Sequence, residues 1–161
     1  MILIVDDDFD IASLIKISLE KADLFVSSFA DPLVALKEFR SRSTDYDLVV
    51  SDIQMRAMNG YEFALQVKRI KSNVKIILMS AFGFEYCDRS FAGPLQNSDI
   101  DAFIEKPIPL IKLGTIVLTI LNNKTLRYKS NTFFSCEVQP IFLFIFRFYY
   151  FKVMGKMHIA S

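Results

Sequence analysis

Four places in the 161-residue chain set chemically useful side chains close behind short apolar runs. Asp6-Asp7-Asp8 follows Ile2–Val5, Asp52 comes after Leu48–Val50, Ser80 after Val74–Met79, and Lys106-Pro107 after Ala102–Ile104. If the carboxylates converge they cannot stay charged without cost, because two like charges about 4 Å apart repel by roughly 4 kcal/mol at an effective dielectric near 20. A cluster of Asp6, Asp7 and Asp52 calls for cationic compensation. A hard divalent ion held by oxygens, Mg²⁺ above all, meets the need, with Lys106 as a further fixed positive charge. Such a site invites a phosphoryl group. Sulfur and imidazole offer no alternative: Cys87, Cys136 and the single His158 are too few for a four-ligand zinc site. Two thiols also exclude a disulfide scaffold and point to a reducing compartment. Taken singly, each residue has a plainer reading: a solvated loop with a helix cap, a turn hydroxyl, a surface charge. Their order along the chain gives them joint weight.

The elements that must position these groups are legible over residues 1–122. The runs Ile2–Val5, Leu24–Phe29, Leu48–Val50, Val74–Met79 and Ala102–Ile104 predict five strands. Most are continuously apolar, as in a parallel sheet covered on both faces. Helices fall between them. Ile11, Leu14, Ile15, Ser18, Leu19 and Ala22 form one stripe, with Asp8 or Asp10 as its cap. Asp31-Pro32 starts a second helix, and Asn59-Gly60 marks a turn before Tyr61–Ile70, where Phe63, Ala64, Val67 and Ile70 share a face. Residues 81–100 hold an interrupted pattern with room for a short fourth helix, and Ile108–Asn122 predicts a fifth. The fold class is α/β, a (βα)₅ doubly wound five-stranded parallel sheet of flavodoxin-like type. In such sheets the ligand crevice lies beyond the carboxyl ends of the strands, where strand order reverses. Asp6, Asp7, Asp52, Ser80 and Lys106 all fall on that rim.

These residues resemble a response-regulator receiver domain, the phosphoacceptor half of two-component signalling. Ile2–Asp8 reads as the opening strand and acid pair, Asp47–Gly60 (DLVVSDIQMRAMNG) as the phosphoacceptor strand and loop, Val74–Ala81 (VKIILMSA) as the hydroxyl-bearing strand, and Phe103–Pro107 as the aromatic and Lys-Pro signature. The resemblance implies that Asp52 accepts phosphate from a histidine kinase or phosphotransfer protein. It implies that Asp6, Asp7 and Asp52 hold Mg²⁺ together with the backbone carbonyl of Gln54, that Lys106 contacts the phosphoryl group across a cis bond to Pro107, and that Ser80 and Phe103 switch. A downstream protein would then read the face of the fourth helix, fifth strand and fifth helix. Three departures stand out. Met55-Arg56 replaces the usual Met-Pro, Phe103 stands where many members carry Tyr, and the stretch from Ser80 to Lys106 is a few residues long. Gln54 and Phe82, each two positions beyond a site residue, should influence how water reaches the phosphate. Two rival readings use the same residues: Asp6-x-Asp8 as the nucleophile motif of a haloacid-dehalogenase-like phosphatase, against which Asp10 replaces the expected Thr, and a receiver-like binding module that is never phosphorylated.

Composition changes abruptly near Leu121. Residues 1–122 carry 13 Lys and Arg against 17 Asp and Glu, whereas 123–161 carry 6 against 1 and hold 10 of the 22 aromatic residues. The expected organisation is a receiver domain over 1–122 followed by an aromatic-rich basic tail over 123–161. No helix-turn-helix fits the tail, so a stand-alone receiver without a DNA-binding domain is expected. Its apolar run Ile141–Phe151 contains Arg147 and falls short of the ~20 residues a membrane helix needs, which argues against a span and leaves interfacial attachment open but not expected. With no basic leader, long apolar segment or cleavage site at the start, the expected location is the cytoplasm.

Overall fold

The computed structural model describes residues 1–81 and 99–122. The chain divides into two compact units, Met1–Tyr128 and Lys129–Ser161, and every described residue belongs to the first. Its strands are β1 (Ile2–Val5), β2 (Val26–Phe29), β3 (Leu48–Asp52), β4 (Lys75–Ser80) and β5 (Ala102–Glu105). The helices described are α1 (Phe9–Glu20), α2 (Pro32–Ser41), α3 (Gly60–Ile70) and α4 (Leu110–Leu121), with one 3-10 turn at Ser43–Asp45. The strands form a single parallel sheet in the order β2-β1-β3-β4-β5, the flavodoxin-like arrangement. The helix expected within 81–100 falls almost wholly outside the described residues, as do Phe82 and the tail, so α4 is the helix that the sequence predicts as the fifth.

Both sides of the sheet are apolar, which is why its strands read as unbroken runs. Leu3, Val5, Val49, Ile76 and Leu78 face α2 and α3, packing with Ala35, Phe39, Phe63 and Val67. The alternate residues Ile2, Ile4, Leu48, Val50, Ile77 and Met79 pack with Ala12, Ile15 and Leu19 of α1 and Leu113 and Val117 of α4. The stripe expected on α1 is turned relative to the one observed. Ala12 is buried, and Leu14 of the expected stripe is 56% exposed. The small Ala12 side chain lets the helix approach the sheet, and that face wins over the bulkier one.

Caps set the helix starts. Asp8 accepts hydrogen bonds from the backbone N–H groups of Asp10 and Ile11, and Asp31 accepts from those of Leu33 and Val34 ahead of Pro32. Asn59 and Glu62 form a reciprocal capping box on α3. Strand edges differ from expectation where turns compete for backbone groups. The Leu24 N–H donates to the Leu19 carbonyl, so β2 begins at Val26, and the Val74 N–H donates to Lys71, so β4 begins at Lys75. β3 runs on to Asp52, which pairs in register with Met79. Among the described residues no helix is long and apolar enough to cross a membrane.

Candidate functional site

Strand order reverses at β1: the chain passes from β1 outward to β2, then returns to place β3 on the other side of β1. A crevice opens at the carboxyl ends of such a pair. Val5 of β1 lies opposite Ser51 of β3, so the next residues, Asp6 and Asp52, emerge side by side. Ser80 ends β4 opposite Glu105 of β5, and the Lys106 N–H donates to the Ser80 carbonyl at 2.7 Å. The parallel register alone therefore delivers Asp6, Asp52, Ser80 and Lys106 to one rim. The Lys106-Pro107 bond is cis.

Asp6 and Asp52 are 1% and 6% exposed. The Lys106 ammonium sits between them, 2.7 Å from Asp6 Oδ2 and 2.6 Å from Asp52 Oδ1. The remaining oxygens take backbone donors: the Asp8 N–H donates to Asp6 Oδ1, and the Gln54 N–H donates to Asp52 Oδ2. Asp7 points outward, with its Oδ2 3.8 Å from Arg56 Nε. Burial raises the Asp52 carboxyl above the ordinary carboxylate range; Lys106 opposes this, and the neighbouring charge of Asp6 adds to it. Burial also works against the Lys106 ammonium, but its hydrogen bonds and charge interactions with Asp52 and Asp6 outweigh that and leave it raised. Two carboxylates beside one buried ammonium hold Lys106 charged, while the burial of Asp52 outweighs the single cation that opposes it.

Asp6, Asp7 and Asp52 each present a carboxylate oxygen within 4.8 Å of the others. An all-oxygen donor set with one member open to solvent suits a hard cation that keeps several of its waters, so the residues fit Mg²⁺. Asp8, the third member of the acidic run, is occupied in capping α1. Ser80 is buried, and Phe103 is partly buried against the α2–α3 side of the core, its ring centroid 6.4 Å from that of Tyr61. The Gln54 side chain is exposed beside the site.

Two contributors escape a reading by motif. Arg56 is visible in sequence only as a departure from Met-Pro, and its pairing with Asp7 depends on how the loop after β3 folds over the end of β1. Gly60 is visible only as a turn residue. A Cβ there would lie 2.2 Å from the Asp52 carbonyl oxygen and 2.8 Å from Ile53 Cα, so the start of α3 presses directly on the backbone that carries Asp52.

Comparison with known proteins gives this arrangement its context. The family model described as "Response regulator receiver domain" matches residues 2–118. Ethylene receptor 2 of rice is 30% identical over 123 residues, covering 76% of this chain and 16% of the receptor. The two-component response regulator ARR14 of Arabidopsis thaliana is 35% identical over 82 residues, 51% of this chain and 22% of its own length. The chain thus spans only a fraction of these larger relatives. Among solved structures, a receiver domain protein from Clostridium thermocellum superposes with a TM-score of 0.66 at 23% identity, covering 76% of this chain and 94% of that one. The response regulator TrrA of Thermotoga maritima, solved in complex with Mg²⁺-BeF, gives 0.63 at 30% identity over 74% of this chain and 96% of its own. Sequence family and sheet order lead to the same conclusion, and this chain belongs to the response regulator receiver domains of two-component signalling.

Proposed function

We propose that Asp52 is the phosphoacceptor, taking a phosphoryl group from a phosphohistidine on a histidine kinase or phosphotransfer protein. The observation that carries this reading is the position of Asp52: a buried carboxylate at the topological switch point, 2.6 Å from the Lys106 ammonium and within 4.8 Å of the Asp6 and Asp7 oxygens. A carboxylate oxygen of Asp52 attacks phosphorus, the phosphorus–nitrogen bond breaks, and its electron pair leaves on the imidazole, which a proton neutralises. Lys106 offsets charge on the transferring oxygens from a fixed position. Asp6, Asp7, Asp52 and the Gln54 carbonyl would hold Mg²⁺, which when bound supplies further charge neutralisation at the phosphoryl oxygens. The likeness to TrrA, a protein crystallised with Mg²⁺-BeF, supports both assignments. The similarity to the peroxide stress-activated histidine kinase mak1 of Schizosaccharomyces pombe, 26% over 127 residues, fits a role within a kinase-linked relay.

The new acceptor oxygens of an aspartyl phosphate would draw Ser80 inward and let the Phe103 ring follow, reshaping a surface that includes β5 and α4 for a downstream protein. Phe103 lacks a phenolic hydroxyl, so this switch works through burial of the ring alone.

The test is labelling by a small acyl phosphate with and without Mg²⁺. The parent should acquire one base-labile phosphoryl group only when Mg²⁺ is present. Asp52→Asn should abolish labelling, because an amide is not a nucleophile. Asp8→Asn should retain most of it, since Asn caps a helix about as well as Asp. Labelling that survives Asp52→Asn but disappears with Asp6→Asn would favour the phosphatase-like chemistry instead.

A further inference from the structure

Three carboxylates meet at the switch point, and Lys106 pairs with two of them, Asp6 and Asp52. The third, Asp7, carries a side chain 29% exposed and faces Arg56, whose Nε lies 3.8 Å from Asp7 Oδ2. The Arg56 side chain is 97% exposed. So little burial means that it contributes little packing to the fold. It is a charge on a long tether, resting against the one carboxylate through which solvent reaches the cluster.

We propose that Arg56 is a displaceable counter-cation that competes with a divalent ion for Asp7 and so raises the Mg²⁺ concentration at which the site fills. The inference rests on the metal-binding reading of Asp6, Asp7 and Asp52 and assigns this chain its own control over it. An ion arriving at Asp7 meets a guanidinium charge 3.8 Å from one of its oxygens. Arg56 must swing into solvent, or stay and repel the newcomer; both lower the affinity. Exposed ion pairs are individually weak, so the effect is a shift in threshold and not a block. It should also be screened by salt, because the path between Arg56 and the site runs through water.

Calorimetric titration of the full chain with MgCl₂ at low ionic strength tests this directly. Four proteins are compared: the parent, Arg56→Gln, Arg56→Lys, and Arg69→Gln, which removes one exposed positive charge in the last turn of α3, at the far end from the site. Arg56→Gln should bind Mg²⁺ about two- to fourfold more tightly than the parent, the range that a weak exposed pair allows. Arg56→Lys should stay near the parent, Arg69→Gln should not change, and the Arg56→Gln gain should shrink in about 0.5 M salt. Thermal unfolding without metal checks that all four are folded. Equal or weaker binding by Arg56→Gln overturns the proposal, and so does an equal gain in Arg69→Gln, which would reduce the effect to net charge. A parent that binds no Mg²⁺ would overturn the metal reading itself, an outcome distinct from normal parent binding that Arg56→Gln leaves unaltered.

Discussion

Asp52 keeps a negative charge where only 6% of its surface reaches water. Burial raises its carboxyl, Lys106 only partly offsets this, and the neighbouring charge of Asp6 adds to the rise. A folded-state value above the unfolded one means that the native protein binds the Asp52 proton more tightly. Its contribution to stability is therefore greatest at acid pH and is lost as pH rises from the unfolded value of about 3.9 through the folded one. Asp52→Asn removes that titration while leaving Lys106 paired with Asp6. Unfolding free energies measured with a chelator present should show the variant gaining on the parent as pH rises above about 4. A constant difference across that range would mean that Lys106 cancels the burial of Asp52 in full. The acceptor thus holds a charge that the fold alone would rather neutralise, and a phosphoryl donor or a metal ion can use it.

Loops and caps then decide how firmly that charge is aimed. β3 extends through Asp52, whose place in the ladder opposite Met79 fixes its backbone. The Ile53 N–H donates to the Met79 carbonyl, and the Gly60 N–H donates back to the Ile53 carbonyl, folding the loop onto the strand end. Gly60→Ala would push a methyl group into the Asp52 carbonyl, which stands 2.2 Å from the ideal Cβ position. Backbone cannot yield as a flexible side chain does, so the substitution should cost about 2–3 kcal/mol in urea unfolding and weaken Mg²⁺ binding by displacing Asp52. A loss below about 0.5 kcal/mol would show that the start of α3 slides away freely. Asn59-Gly60 announces a turn in sequence, yet nothing local reveals that the turn lies against the acceptor strand. By contrast, Asp31-Pro32 and Asp8 act as caps as their sequence positions foretell, because a cap involves only residues two or three apart.

At the scale of the molecule, every proposed site residue lies before Pro107, and both faces of the sheet are covered by helices that end at Leu121. We therefore expect residues 123–161 to be dispensable for phosphoryl transfer. A protein ending at Asn122 should keep its Mg²⁺ affinity and labelling rate within about twofold of the full chain, a difference of roughly 0.4 kcal/mol. It should also be more soluble, since the deletion removes Ile141–Phe151. Loss of folding on truncation would show that the aromatic-rich segment completes the core. Loss of vesicle co-sedimentation with intact labelling would identify that segment as an interfacial anchor.

The order of the strands, the two-sided burial of the sheet and the residue types at its rim were legible in the sequence, because these follow from local periodicity and from the rule that ligands meet parallel sheets at strand ends. Tertiary structure decided which aspartate does what. Asp8 turns back to cap α1, Asp6 is buried against Lys106 from a position 100 residues away, and Asp7 is left facing Arg56. Those roles depend on strand register and on the path of the β3–α3 loop, which bring together groups far apart in sequence. A pattern read over a few neighbouring residues holds no information about such distances. The same limit explains the rotated face of α1: Leu14 and Ala12 are both apolar in sequence, and only the sheet beneath them selects the smaller one for burial.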